Sequence, residues 1–213
     1  MAITVDESIS VAGQVLVLGG IDEEGDRLST VQLVDLATGV CTPQAPLLCP
    51  RHGLTAVRIP DGRVVCTGGI IAEASVEVWG PPDTVTPNAP WTWTELSAMH
   101  VGRGGCVGCV MSDGRLAVLG GRNWGGMPAS LIDMSTCEVL TVGKDEHWSF
   151  LPPMRHARSE FACAAVAKCI IVAGGGGTAS TEVYDEVLNL WIRLPCDLPC
   201  EWFFLDVRCS AIL

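Results

Sequence analysis

The chain has 213 residues, of which 48% are apolar and 17% charged, against a usual charged share of about 25%. It carries a formal net charge of −11 and a pI near 4.6. This composition excludes a disordered chain, and the negative field sets it against phosphate backbones and anionic lipid, so neither nucleic acid nor membrane is an expected partner.

The N-terminal stretch "MAITVDESIS" places Asp6 and Glu7 where a secretory leader carries Lys or Arg. The longest apolar run, "FACAAVAKCIIVAGGGG", is broken by Lys168 and ends in glycine, which is not the pattern of a membrane span. A cytoplasmic location is expected, with the nucleus left open. In that compartment the 11 cysteines are expected as free thiols, and an odd number cannot all pair within one chain.

In chain order, the first apolar run is "QVLVL", after Gly13, and it ends in the pair Gly19-Gly20. An acidic loop, "IDEEGDRLS", leads to "VQLVD" and Asp35, and Cys41 follows six residues on. The second unit opens on Arg51 and His52 and contains "IPDGRVVCTGG", ending at Gly68-Gly69; "VEVWG" and Trp93 follow. The third repeats the phrase as "MSDGRLAVLGG", ending at Gly120-Gly121, and continues through "RNWGGMP", "SLIDM" around Asp133, and Trp148. The fourth has "CIIVA" before Gly174-Gly175, then "EVYDE" and Trp191.

The glycine pairs are thus spaced by 49, 52 and 54 residues. Each unit reads as about four short strands with no helical periodicity. Asp61-Gly62 and Asp113-Gly114 read as two-residue hairpin turns, since both residue types tolerate positive φ. Two longer stretches, Gly80–Trp91 and Cys137–His147, read as insertions between third and fourth strands.

The glycine pair, the acid-ended third strand and the later tryptophan resemble the kelch repeat, over nearly the whole chain. The resemblance implies an all-β, kelch-type β-propeller of four four-stranded blades plus a partial fifth, an incomplete or fragmentary ring. The expected blades span about 1–45, 46–97, 98–152 and 153–195. Residues 196–213 form the stub of a further blade or a closing strand.

On such a scaffold, loops after the glycine pairs and loops entering the inner strands share one face, the expected binding face. Arg122, Asn123 and Trp124 combine a charge, an amide and an aromatic, the mixture found at binding hot spots. Arg51, His52, Arg103, Arg158 and Glu160 enter the inner strands on the same face. The three arginines also read as structural donors to neighbouring loop carbonyls. Some kelch adaptors grip acidic peptides with arginines at inner-strand starts. Counting back from the glycine pairs places Leu54, Cys106 and Glu160 there, which is no basic ring.

No metal or cofactor is expected. Cys106 and Cys109 sit three apart on a strand and point to opposite faces, and "AGGGGTAS" lacks the Gly-Lys-Ser/Thr ending of a phosphate loop. The resemblance implies a non-enzymatic protein–protein interaction scaffold, with a substrate-recognition role beside a ubiquitin ligase as one form. The alternatives are an epimerase-like propeller enzyme acting on a sugar or sugar acid, and a non-functional propeller fragment. A copper-radical oxidase needs ligating tyrosines, and the only one is Tyr184.

Overall fold

The structure, a computed structural model, describes residues 2–4, 13–69, 74–82, 89–125 and 130–199. Among them there is no helix. Four antiparallel four-stranded sheets follow one another along the chain. The first, blade 1, is β1 (Ala2–Thr4), β2 (Gln14–Ile21), β3 (Arg27–Asp35) and β4 (Cys41–Pro43). Blade 2 is β5 (Thr55–Arg58), β6 (Val64–Thr67), β7 (Val76–Gly80) and β8 (Thr92–Leu96). Blade 3 comprises β9 (Val107–Val110), β10 (Leu116–Leu119), β13 (Cys137–Thr141) and β14 (His147–Leu151), and it carries a separate hairpin of β11 (Arg122–Gly125) and β12 (Ser130–Asp133). Blade 4 is β15 (Ala162–Val166), β16 (Cys169–Ala173), β17 (Thr181–Asp185) and β18 (Leu190–Arg193).

The "DG" turns are one residue longer than expected. Ile59 N–H donates to Arg63 C=O at 2.9 Å around Pro60-Asp61-Gly62, and Met111 N–H donates to Arg115 C=O at 2.9 Å around the matching loop. Gly62 and Gly114 take φ of 92° and 86°, closing three-residue loops with a bulge. A second correction concerns blade 3. "SLID" is not its third strand but β12 of the extra hairpin, and Cys137–Thr141 is the third strand rather than part of an insertion. The physical reason is burial: Glu138 on β13 has an ionic partner waiting inside, as shown next, whereas Leu131 and Ile132 on β12 are exposed. The additional segment therefore joins second to third strand, on the expected binding face.

A buried arginine–glutamate staple recurs in blades 2, 3 and 4. Arg103 donates to Gly120 C=O at 2.7 Å, to Thr136 C=O at 2.8 Å and to Glu138 Oε1 at 2.7 Å, with both side chains fully buried. Glu138 also accepts from the backbone N–H of His100 and Val101, at 2.8 and 3.2 Å. Arg51 with Glu77, and Arg158 with Glu182, repeat the arrangement. Each arginine's own carbonyl then accepts from the preceding blade: Gly20, Gly69 and Gly121 N–H donate to Arg51, Arg103 and Arg158 at 3.0, 3.0 and 2.7 Å. The glycine pair follows from this approach. A Cβ on Gly68 would stand 2.5 Å from Arg103 O, and Gly68 has φ of 75°.

The core lies between blades. One apolar cluster joins Leu16 and Leu18 to Leu54 and Trp79; a second joins Val65 and Val78 to Leu116 and Trp148; a third joins Leu119 and Val139 to Ile170 and Trp191. Three tryptophans close these seams by reaching back to the preceding blade. Trp93, Trp148 and Trp191 donate their indole N–H to Ala45, Ser97 and Pro152 carbonyls, at 2.9, 2.7 and 2.9 Å. Cys41 pairs with Val34 in the register that Trp93 shares with Trp79, and is exposed. β6 and β10 are buried along their whole length, whereas β2 and β16 alternate buried with more exposed positions. Blades 2 and 3 are thus covered on both faces, and among the described residues blades 1 and 4 each leave one face open. The expected stub from residue 200 onward lies outside the described residues, as do parts of two loops, 70–73 and 83–88.

Two measurements test the staple. Replacing Arg103 by Met strips the buried Glu138 carboxylate of its guanidinium, leaving it only the His100 ring and two backbone N–H groups, and urea unfolding should show a loss of about 3–5 kcal/mol; a loss below about 1 kcal/mol would mean the pair is incidental. Burial pushes the Glu182 carboxyl up, but hydrogen bonds from Arg158, Arg155 N–H and His156 outweigh it and hold its pKa below the ordinary glutamate value. A depressed folded-state pKa gives stability that is complete above the ordinary value of about 4.3 and lost as pH falls through the folded value. The Glu182→Gln variant should therefore be less stable near neutrality and converge on the parent in acid; parallel curves would contradict this.

Candidate functional site

The face that carries the loops is built on the staples. Arg51, Arg103 and Arg158 stand at its base with 1%, 0% and 0% exposure, their guanidinium groups bonded to this chain's own oxygens. The structure therefore places these three candidates beneath the surface, in the structural role. His52 follows Arg51 and is half-buried.

Two residues after each arginine the backbone turns left-handed. Gly53, Gly105 and Glu160 have φ of 67°, 61° and 54°. They form a relay across the blades, with Gly105 N–H donating to Gly53 C=O and Glu160 N–H to Gly105 C=O, each at 2.8 Å. The structure corrects the slot count made from the glycine pairs. Leu54, Cys106 and Phe161 are equivalent and buried, while Glu160 matches the two glycines. The count slips because the turn between β15 and β16 has two residues, where the earlier two have three.

Glu160 is thus a charged, β-carbon-bearing residue in a conformation that the other blades assign to glycine. Such a residue costs of order 1–3 kcal/mol in backbone strain and persists where surrounding contacts impose it. Here the contacts are visible. The Glu160 carboxylate lies 3.5 Å from Arg122 Nη1. Arg122 in turn donates to Ser159 Oγ at 2.6 Å and lies 3.3 Å from Asp133 Oδ1. Ser159 Oγ donates to Asp133 at 2.6 Å. Arg122, Asp133 and Glu160 keep 22%, 28% and 25% of their side chains exposed, so the trio is half-sunk between blades 3 and 4.

Arg122 begins β11, and its backbone exchanges two hydrogen bonds with Gly104, at 3.0 and 2.8 Å, which fastens the hairpin to the loop entering β9. Asn123 pairs across the hairpin with Ile132, and Trp124 with Leu131. The Trp124 backbone is in β11; its side chain lies outside the described residues, as do residues 126–129. Leu131 and Ile132 are 43% and 53% exposed. Of the sequence candidates, then, the structure brings Arg122 and Glu160 together, with Asn123 and Trp124 on the adjoining strand. Asp133 and Ser159 complete the cluster, and sequence reasoning missed both. Asp133 was absorbed into a presumed third strand, and Ser159 gave no signal beyond following Arg158.

The acidic loop of blade 1 gathers Asp22, Glu24 and Asp26, but Asp22 Oδ1 accepts from the Glu24 and Asp26 backbone N–H groups, which shapes the loop. Cys106 and Cys109 belong to separate apolar clusters and do not converge. Burial pushes the Cys66 thiol up to about 12 and Cys137 to about 11. A hydrogen bond with Cys163, and burial, hold the Cys109 thiol well above the ordinary thiol value.

No family model matches the chain. Kelch-like protein 34 from Homo sapiens is 24% identical over 219 aligned residues, covering 95% of this chain and 31% of that protein. An F-box/kelch-repeat protein from Arabidopsis thaliana is 39% identical over 56 residues, 24% of this chain and 15% of that one. The chain therefore spans about a third or less of the curated relatives it matches. Among solved structures, that of YjhT superposes with a TM-score of 0.65 at 17% identity, over 87% of this chain and 63% of the other. The repeats are of the kelch type, and the fold is that of a kelch-type β-propeller. Among the described residues no helix is long and apolar enough to cross a membrane.

The thiol environments predict a two-speed alkylation profile. Cys41, Cys49 and Cys196, all exposed, should react with iodoacetamide in the native state, and Cys66 and Cys137 only on unfolding. Native-state labelling of Cys66 at the rate of Cys41 would contradict the buried placement.

Proposed function

We propose that this kelch-type propeller is a non-enzymatic protein-interaction module whose contact surface is the loop face of blades 3 and 4. One observation carries the reading. Among the described residues, blade 3 alone bears an extra hairpin on that face, and it displays Leu131 and Ile132 to solvent beside the Arg122–Asp133–Glu160 trio. Exposed apolar side chains rimmed by charge form the usual plan of a contact surface, with the apolar part supplying burial and the charges setting register. The partner is a protein surface that offers an apolar patch to the hairpin and both donors and acceptors to the trio.

A substrate-recognition role beside a ubiquitin ligase is the finer form of this proposal. It is supported by the kelch resemblance and by a relative named as an F-box/kelch-repeat protein. The relatives' additional length is where an adaptor's other domains would lie.

The test compares quantitative affinity capture by the parent chain with capture by Ile132→Asp and Trp124→Ala, each checked for unchanged thermal unfolding. A genuine partner should be lost by about ten-fold or more in both, as for hot-spot residues; equal capture by all three would sink the proposal. Glu160→Gly separates strain from function. It should raise stability by about 1 kcal/mol, by relieving the left-handed backbone, while weakening the same capture. A variant that is less stable than the parent would mean that Glu160 is held for packing alone.

A further inference from the structure

Residues directly opposite each other on antiparallel strands point to the same side of a sheet. One such row crosses each of blades 2, 3 and 4 and faces the preceding blade. In blade 2 it runs Arg58, Val64, Trp79 and Trp93. The row of blade 3 is Val110, Leu116, Leu140 and Trp148, and that of blade 4 is Ala165, Ile170, Tyr184 and Trp191. The second-strand residue and the final tryptophan serve the core in all three. The other two positions set blade 2 apart.

At the third-strand position, Leu140 needs no polar partner, and Tyr184 donates its hydroxyl to Asn189 Oδ1 at 2.7 Å. Trp79 is 8% exposed, and its indole N–H is buried with no acceptor among the described residues. A buried donor left this way keeps its desolvation cost until an acceptor reaches it. At the inner-strand position Val110 and Ala165 are apolar, whereas blade 2 carries Arg58. That arginine is exposed and forms no ion pair among the described residues. The neighbouring carboxylate, Asp61, is held by the Arg63 guanidinium at 2.7 Å and the Arg63 backbone N–H at 3.0 Å.

The two departures meet. Arg58 and Trp79 line one cleft of about 520 Å³ between blades 1 and 2, a size that suits a small molecule. It opens where the inner strands end, on the face opposite the β11–β12 hairpin. Leu33 and Trp91 supply apolar walls, and Gln14 and Gln44 supply amides. Trp91 is half-buried with its ring centroid 4.7 Å from that of Trp79, so it is the ring that an entering ligand displaces. Arg58 and Trp79 stand two strands apart, roughly 10 Å, within reach of an extended arginine side chain. An indole N–H and a guanidinium are thus both unspent, while the carboxylate at the rim is taken. The complement is a ligand that brings acceptors and a negative charge.

We propose that this cleft binds a small carboxylate with an aromatic or aliphatic body. The body lies against Trp91 and Leu33, one carboxylate oxygen accepts from the Trp79 indole N–H, and Arg58 meets the charge. Hydrogen bonds to an ionised acceptor are the stronger kind, so the carboxylate dominates the selectivity. The site lies apart from the protein-contact surface proposed above and does not depend on it.

Two-dimensional NMR of the indole N–H groups in the labelled full chain, titrated with phenylacetate, tests this. Trp79→Phe keeps a ring and deletes the donor, so the signal it loses identifies Trp79. In the parent chain that signal should move downfield and saturate, as an N–H does on gaining an acceptor. Phenylacetamide, with the same body and no charge, should bind about ten-fold more weakly, and so should phenylacetate to Arg58→Gln. No movement of the Trp79 signal up to about 10 mM phenylacetate would overturn the proposal. So would equal affinity for phenylacetate and phenylacetamide, or equal affinity of the parent and Arg58→Gln, since either would show a cleft indifferent to charge. Arg58 is exposed, so its variant tests recognition rather than folding. Should Trp79→Phe not fold, sequential assignment identifies the signal and the other comparisons stand.

Discussion

A guanidinium buried in a dry interior must find acceptors for its donors and an opposite charge, and that demand organises this protein. Arg51, Arg103 and Arg158 each meet it through their terminal nitrogens, with a second-strand glycine carbonyl and a third-strand glutamate, while the Nε–H of Arg51 and Arg158 has no acceptor among the described residues. The glutamate is held in turn by backbone N–H groups of the loop that enters the blade. The arginine carbonyl closes the circuit on the previous blade's glycine pair. A side chain at the first of those glycines would collide with that carbonyl, so the glycine is required by the staple. The recurring glycine, arginine and glutamate are three parts of one interaction, and burying the charge makes each depend on the others.

A scaffold pinned this way leaves variation to its loops. The base of the loop face is nearly constant from blade to blade, through the left-handed positions at Gly53, Gly105 and Glu160. The departures gather at one seam. Blade 3 adds the β11–β12 hairpin, and blade 4 replaces glycine with Glu160. Arg122 joins the two departures, bonded to Ser159 and Asp133 and close to Glu160. Local strain and added surface coincide there, the usual sign that a position is kept for something other than stability.

The apolar content follows from blades that pack on two sides. Strands β6 and β10 need side chains that suit an interior whichever way they point, so their sequences read as apolar runs. Blade 4 keeps that kind of sequence in β15 and β16 while only one side is covered by described residues.

The repeat, the all-β class and the positions of the hairpin turns, though not their lengths, were legible because each depends on local chemistry: φ-permissive residues at fixed offsets, and apolar runs too short for helices. The site was legible in part. Arg122, Asn123, Trp124 and Glu160 could be placed on the loop face from spacing alone. Asp133 was misplaced because "SLID" and "CEVLT" both satisfy a strand pattern, and only the long-range pull of Arg103 on Glu138 selects which one enters the blade. Glu160 was assigned the wrong neighbours because one turn is a residue shorter, a change that shifts a count without altering any motif. The sequence by itself determined the repeat and where it turns, since those energies are settled within a few residues. The tertiary structure alone decided which arginines are buried and which acids they take, since those depend on side chains brought together from distant parts of the chain.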